Sequence, residues 1–200
     1  MTVNRKRTAI LISGRGSNML ALIEAARSAD YPAEIALVLS NCPAAPGLAT
    51  AKALGVATAA VDHKIFAGRA DFEAAMQRLL AIHQIDIICL AGFMRLLTPG
   101  FVGHWQGRII NIHPALLPAY KGLDTHARAL ADGVAEHGCT VHHVEAAMDE
   151  GPVIAQARVP VLAGDTAASL GARVLAAEHG LYPAALALVA RGALVTKTVA

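Results

Sequence analysis

Short apolar runs of strand length alternate along the chain with longer segments of helical period. Thr8 to Ile12 is apolar after its threonine, the pattern of a strand covered on both faces. Ser13-Gly14-Arg15-Gly16-Ser17-Asn18 predicts a turn, and Met19 to Ala29 a helix. Glu34 to Leu39 and Val56 to Val61 read as further strands, with a short helix around Leu48 to Leu54 between them. Arg69 to His83 sets Phe72, Met76, Leu79, Leu80 and His83 at three- and four-residue spacings, which predicts a helix with one apolar face. Ile85 to Leu90 and Ile109 to Ile112 are strands of the fully buried kind.

Pro114, Pro118 and Gly122 impose an irregular loop. Asp124 stands where an N-cap is wanted for a helix running to about Glu136. Thr140 to Val144 and Val153 to Val159 read as two more strands, and Asp165 or Thr166 as the cap of a long helix to about Arg191. Leu194 to Val199 has the look of a final edge strand. The repeated β-α-β order predicts an α/β fold with a doubly wound, mostly parallel sheet, in one domain over residues 1–200. Such sheets bind ligands beyond the carboxyl ends of their strands, at a switch point. Three loops start at strand ends, 13–18, 91–98 and 113–122, and are expected to meet at one cleft.

Composition narrows this picture. Hydrophobic residues make up 55% and charged residues 16%, which argues against disorder. Seventeen Lys and Arg face fifteen Asp and Glu, for a net charge of +2, and no basic stripe marks a nucleic-acid partner. Arg5, Lys6 and Arg7 before Ala9 to Ile12 mimic a signal peptide, but the apolar run stops at Ser13-Gly14, and nothing approaches the length of a membrane span. Cys42, Cys89 and Cys139 are odd in number and widely spaced, as expected of reduced thiols in a cytoplasmic protein.

The chemistry starts with Asn111-Ile112-His113-Pro114. Residues two apart on a strand share a face, so Asn111 and His113 project together from a strand end. An asparagine donates to a developing oxyanion, and a histidine exchanges a proton near neutral pH. The same spacing also suits a hydrogen-bonded pair that merely finishes a strand. Asp149, 36 residues after His113 and before Gly151-Pro152, lies on a turn from which a carboxylate can reach back to the histidine, or simply form the turn. Gly14-Arg15-Gly16-Ser17-Asn18 joins a strand to a helix. It can hold a phosphate monoester on helix N–H groups, or form a serine-capped tight turn. It has neither the Lys-Ser/Thr of a Walker loop nor the third glycine of the dinucleotide fingerprint. His137, His142, His143 and Cys139 lack metal-site spacing, so no metal is expected. The thiols read as packing groups, and His83 as structural. Ala91 to Leu97, apolar apart from Arg95, suits a flat aromatic ligand or plain core.

Taken together these segments resemble the phosphoribosylglycinamide formyltransferase family. The stretches that carry the resemblance are Leu11 to Asn18, Leu90 to Arg95, Asn111 to Pro118, Thr125-His126, and Thr140 to Val144 running through Asp149 to Ile154. They keep the family's order and spacing from about residue 8 to 190. The resemblance implies a Rossmann-like formyltransferase fold and transfer of formyl from 10-formyltetrahydrofolate, a co-substrate, to the amine of phosphoribosylglycinamide. It implies Asn111, His113 and Asp149 as the catalytic trio. It assigns Gly16, Ser17, Asn18 and Glu178 to the ribonucleotide. Arg69, Met94, Arg95, Leu96, Leu97, Asn111, Glu145, Ala146, Ala147, Met148 and Asp149 fall to the folate. Ala115 stands where family members commonly have serine, and Leu175 to Ala177 before Glu178 are apolar. Only small-molecule partners are implied, with a monomer or weak homodimer as the assembly.

Methionyl-tRNA formyltransferases share the Asn-x-His-Pro and Asp features but carry a further carboxy-terminal RNA domain, and only 22 residues follow Glu178 here. Formyltetrahydrofolate deformylases carry an amino-terminal regulatory domain, whereas the first strand here begins by about residue 8. Both are disfavoured on these grounds. A non-catalytic nucleotide- or phosphate-binding module keeps the glycine loop but has no need of Asn111, His113 and Asp149 together.

Overall fold

The structure is a computed structural model that describes residues 5–192 and the backbone of 197–198. Eight strands form one sheet in the order β3-β2-β1-β4-β5-β6-β7-β8. Their spans are β1 Lys6–Ile12, β2 Ala33–Ser40, β3 Thr58–Ala60, β4 Ile87–Leu90, β5 Ile109–His113, β6 Glu136–His143, β7 Val153–Pro160 and β8 Lys197–Thr198. Six helices connect them: α1 Ser17–Ala25, α2 Pro46–Ala53, α3 Arg69–Ile82, α4 Pro99–His104, α5 Thr125–Ala131 and α6 Ala167–Ala190.

Alternation along β1 divides the core in two. Ile10 and Ile12 pack with Met19, Leu22 and Ile23 of α1 and with Leu170, Val174 and Tyr182 of α6. Ala9 and Leu11 face the other way, onto Phe72, Met76 and Leu80 of α3, Phe101 of α4, and Trp105. Because both faces of β1 and β4 are covered, these strands are almost wholly buried and read as continuous apolar runs. The β1 to β5 block is parallel throughout. From β1 the chain winds outward to β2 and β3, then returns to add β4 and β5 on the other side. The switch point therefore lies between the carboxyl ends of β1 and β4.

The sheet is mostly parallel, as expected, and its antiparallel part is β6 and β7, which pair antiparallel to β5 and to each other. A run of apolar residues does not encode strand direction. Here no helix separates β6 from β7, so the chain reverses directly. The consequence is functional, because the β6–β7 turn, residues 144–152, carries Asp149, whose carboxylate reaches His113. Gly151 permits this return: a Cβ there would sit 1.8 Å from the carbonyl oxygen of His143, so no side chain fits.

Other differences are local. α5 ends at Ala131, short of the expected Glu136. Asp124 occupies its N-cap position with φ 56° but makes no side-chain cap hydrogen bond. The long α6 does begin as expected, with Thr166 and Ser169 exchanging side chain-to-backbone hydrogen bonds in a capping box. α4 and a 3₁₀ turn at His63–Ile65 were not foreseen. The expected strand at Leu194 to Val199 lies mostly outside the described residues, with only Lys197–Thr198 seen as strand. Among the described residues no helix is long and apolar enough to cross a membrane.

Candidate active site

β5 ends at His113, and its last residues pair antiparallel with β6 so that Asn111 lies opposite His142 and His113 opposite Thr140. His113 is almost fully buried. Its Nε2–H donates to the carbonyl of Tyr120 at 2.9 Å. Its Nδ1 stands 3.4 Å from Oδ2 of Asp149, an ion-pair distance when the ring is charged. Both ring nitrogens thus face acceptors.

Asp149 reaches this point from the β6–β7 turn, in a left-handed backbone conformation with φ 55°. Aspartate tolerates that region better than most residues. The carboxylate is fixed from its other side by the backbone N–H of Gly122, 2.9 Å from Oδ2. The neighbouring Lys121 Nζ and Glu150 Oε1 are 2.9 Å apart, a second tie between the 113–122 loop and the turn.

A fourth residue completes the group. His142 Nδ1–H donates to the carbonyl of His143 at 2.8 Å, which leaves Nε2 to accept from Asn111 Nδ2 at 3.2 Å. Burial pushes the His142 pKa down, against the opposing pull of the His143 carbonyl and Asp149. The ring is therefore neutral at pH 7, and its 3.6 Å approach to Asp149 is not an ion pair. One Asn111 N–H is spent on His142; the other remains to meet a ligand. The neutral ring is lost when pH falls through its depressed pKa, because a protonated Nε2 cannot accept from Asn111. We expect His142→Phe to lower kcat about tenfold, the loss of one buried hydrogen bond. The same variant should flatten the acid limb of the kcat profile that this titration contributes. A pH–rate series on the two proteins checks both.

In the sequence His142 stands only among histidines without metal-site spacing; the antiparallel pairing of β6 with β5 brings it opposite Asn111. That pairing became visible only with the sheet.

At the switch point, Gly16 starts α1 from a left-handed N-cap with φ 74°. Ser17 is exposed and Asn18 buried. Asn18 Nδ2 donates to Glu178 Oε2 at 2.6 Å, joining α1 to α6, while Asn18 Oδ1 is buried without a hydrogen-bond partner. Burial raises the pKa of the Glu178 carboxyl, and the Asn18 amide opposes that shift. Across the switch point, Met94 and Leu96 are exposed and Leu97 is half-buried against the core. Arg95 Nε is buried without a partner. In the β6–β7 turn, Glu145, Ala146, Ala147 and Met148 are exposed. Arg69 is the exposed first residue of α3 and joins none of these hydrogen-bonded groups among the described residues. The expected residues thus gather into the cluster of Asn111, His113 and Asp149, the Asn18–Glu178 pair, and two exposed loops. The buried Cys89 and Cys139 are packing groups in the core. Among the described residues no group of three or more His, Cys, Asp or Glu is arranged for a metal.

Residues 6–186 match the model of a family described as formyl transferase. The Escherichia coli phosphoribosylglycinamide formyltransferase is 46% identical over 190 residues, covering 92% of this chain and 87% of the relative. The chain belongs to the formyl transferase family. A phosphoribosylglycinamide formyltransferase from Brucella melitensis superposes with a TM-score of 0.91 at 53% identity, over 96% of this chain and all of that one. The human trifunctional purine biosynthetic protein adenosine-3 is 48% identical over 188 residues, but this formyl transferase spans only 19% of its length. The likeness to the solved formyltransferase structures extends over nearly the whole sheet, so the Rossmann-like architecture expected from the sequence is shared with them.

Proposed function

We propose that the chain is a phosphoribosylglycinamide formyltransferase, moving the formyl group of 10-formyltetrahydrofolate to the amine of phosphoribosylglycinamide in purine biosynthesis. The observation that carries this reading is the gathering of Asn111, His142, His113 and Asp149 in one cluster, with Asn111 bonded to His142 and the Asp149 carboxylate 3.4 Å from His113 and 3.6 Å from His142. A phosphate-binding module has no use for it. The relatives that match at nearly full length are named for this activity.

The neutral amine attacks the formyl carbon, and negative charge builds on the formyl oxygen. The free N–H of Asn111 and an N–H of protonated His113 stabilise that charge. The nitrogen–carbon bond to the acceptor forms, the bond to the folate N10 breaks, and the proton lost by the amine ends on N10. His113 carries that proton directly or through water. To do so its Nε2–H exchanges the Tyr120 carbonyl for the reacting group. Asp149 keeps the ring oriented and charge-compensated. No covalent intermediate on the protein is needed.

The acceptor phosphate belongs at the start of α1, on the N–H groups of Ser17 and Asn18. Glu178 contributes an acceptor for the substrate, and the unpartnered Asn18 Oδ1 a second. The exposed apolar Met94, Leu96 and Met148 in the flanking loops offer a surface for the flat folate ring, and Arg69 a charge for its acidic tail.

Glu178 carries a cost that can be measured. A carboxyl whose folded pKa is raised contributes most to stability below its ordinary range. That contribution is lost as pH rises through the folded pKa. Glu178→Gln removes the buried charge but keeps an oxygen for Asn18. We expect a higher Tm than wild type at neutral pH and no gain in acid, together with a KM for the ribonucleotide raised about tenfold by loss of a charged hydrogen-bond acceptor. Thermal unfolding at two pH values and steady-state kinetics read the two effects separately.

Consumption of 10-formyltetrahydrofolate, followed with and without phosphoribosylglycinamide, tests the function itself. Consumption that depends on the ribonucleotide supports the transferase. Consumption without it identifies a deformylase, and none under either condition a binding module.

A further inference from the structure

The Ser13 hydroxyl sits where three strand-end segments meet. It accepts a hydrogen bond from the backbone N–H of Met94, 2.8 Å away in the loop after β4. It donates to Oδ1 of Asn41, 2.6 Å away just past the end of β2. The Ser13 backbone N–H also donates to the carbonyl of Gly92 at 3.1 Å. Asn41 is itself buried and held from behind, because His63 Nδ1 lies 3.0 Å from its backbone carbonyl. The His63 ring packs edge-on to Phe72 of the core. Through this chain the 92–97 loop is tied to the first residue of the 13–18 loop, beside the packing of Phe93 and Leu97 on the core. Between those packed residues Met94 and Leu96 point outward, each more than 60% exposed.

We propose that Ser13 is a positioning residue that couples the two substrate sites of this enzyme. The inference rests on the functional reading above, which puts the ribonucleotide phosphate on residues 16–18 and the folate against residues 94–97. Ser13 touches neither ligand in that arrangement. Its hydroxyl fixes where the Met94 N–H, and with it the folate loop, stands relative to the phosphate loop. Ordering of either loop by its ligand therefore favours the bound form of the other. Such coupling is reciprocal: each ligand tightens the other by the same factor.

Tetrahydrofolate and phosphoribosylglycinamide bind together without reacting, since no formyl group is present. The dissociation constant of tetrahydrofolate is therefore measured by calorimetry with and without saturating phosphoribosylglycinamide. In wild type the ribonucleotide should tighten tetrahydrofolate by roughly 3- to 10-fold, the scale of one hydrogen bond. In Ser13→Ala the ratio should fall to about one and tetrahydrofolate alone should bind several-fold weaker. The ribonucleotide alone should bind as in wild type. Asn41→Asp keeps the acceptor oxygen for Ser13 and should keep the wild-type ratio. A general loss of order would instead weaken both ligands together. If Ser13→Ala does not fold, Ser13→Cys, close in size but a poor hydrogen-bond acceptor, gives the same readout. A wild type with no ratio, or a Ser13 variant with the wild-type ratio, overturns the proposal. A wild type that fails to bind the ribonucleotide at all instead overturns the functional reading.

Discussion

Replacing His113 by alanine should lower kcat by about 10²–10⁴ while leaving a folded protein that still binds both substrates. The range is what a positioned proton-transfer group supplies. The ring is buried at the end of β5, held between the Tyr120 carbonyl and Asp149, and no other described side chain stands in its place. His142 is the nearest alternative, but it is neutral, committed to the His143 carbonyl and to Asn111, and cannot take over. KM for each substrate should move by less than tenfold, because His113 acts on charge that develops only during transfer. Steady-state kinetics with circular dichroism as the folding control read the result. A folded His113→Ala protein with near-normal kcat would remove His113 from the mechanism.

The second large effect belongs to Asp149→Asn. The amide fills the same space and still accepts from the Gly122 N–H through its oxygen. It loses the charge that balances an imidazolium at His113, 3.4 Å away. Hydrogen bonds to charged groups carry about 1.5–3 kcal/mol, so kcat should fall roughly 10- to 100-fold. Folate affinity should change far less. A fall in folate affinity with kcat intact would make Asp149 a binding residue only. The variant also separates Asp149 from its neighbour Glu150, whose exposed pair with Lys121 is worth little in salt.

These predictions rest on contacts of unequal visibility in the sequence. The pair Asn111 and His113 follows from the period of a strand alone, since residues two apart share a face. The central strands were legible because cover on both sides leaves uninterrupted apolar runs, as at Ile87–Leu90. α6 was legible because Asp165-Thr166 signals its start, and Thr166 is its N-cap. Asp149 was a different matter. Its approach to His113 depends on the antiparallel return of β6 and β7, on its left-handed backbone, and on the missing side chain of Gly151. None of these is a local propensity, so its place came from resemblance. His142 was hidden for the same reason. Its partner Asn111 is 31 residues away, and the strand is bulged between Val141 and His142. The short α4 escaped because Thr98 and Pro99 announce a helix start but the helix, Pro99–His104, is only six residues long.

The cluster also explains why the described chemistry sits at one end of the sheet. β1, β4 and β5 are adjacent and parallel, so the 13–18 loop, the 91–98 loop and the Asn111–His113 pair all leave the sheet in the same direction. The β6–β7 turn brings the Asp149 carboxylate to His113.

The central claim is direct transfer to the acceptor amine at this cluster. Donor carrying a ¹⁴C-formyl group, mixed with excess enzyme and phosphoribosylglycinamide in a single turnover, follows that group from start to finish. The account predicts label on the ribonucleotide amine, one formyl for each donor consumed, with none on the protein and none as formate. Label released as formate, or held on the protein before it reaches the ribonucleotide, would contradict it.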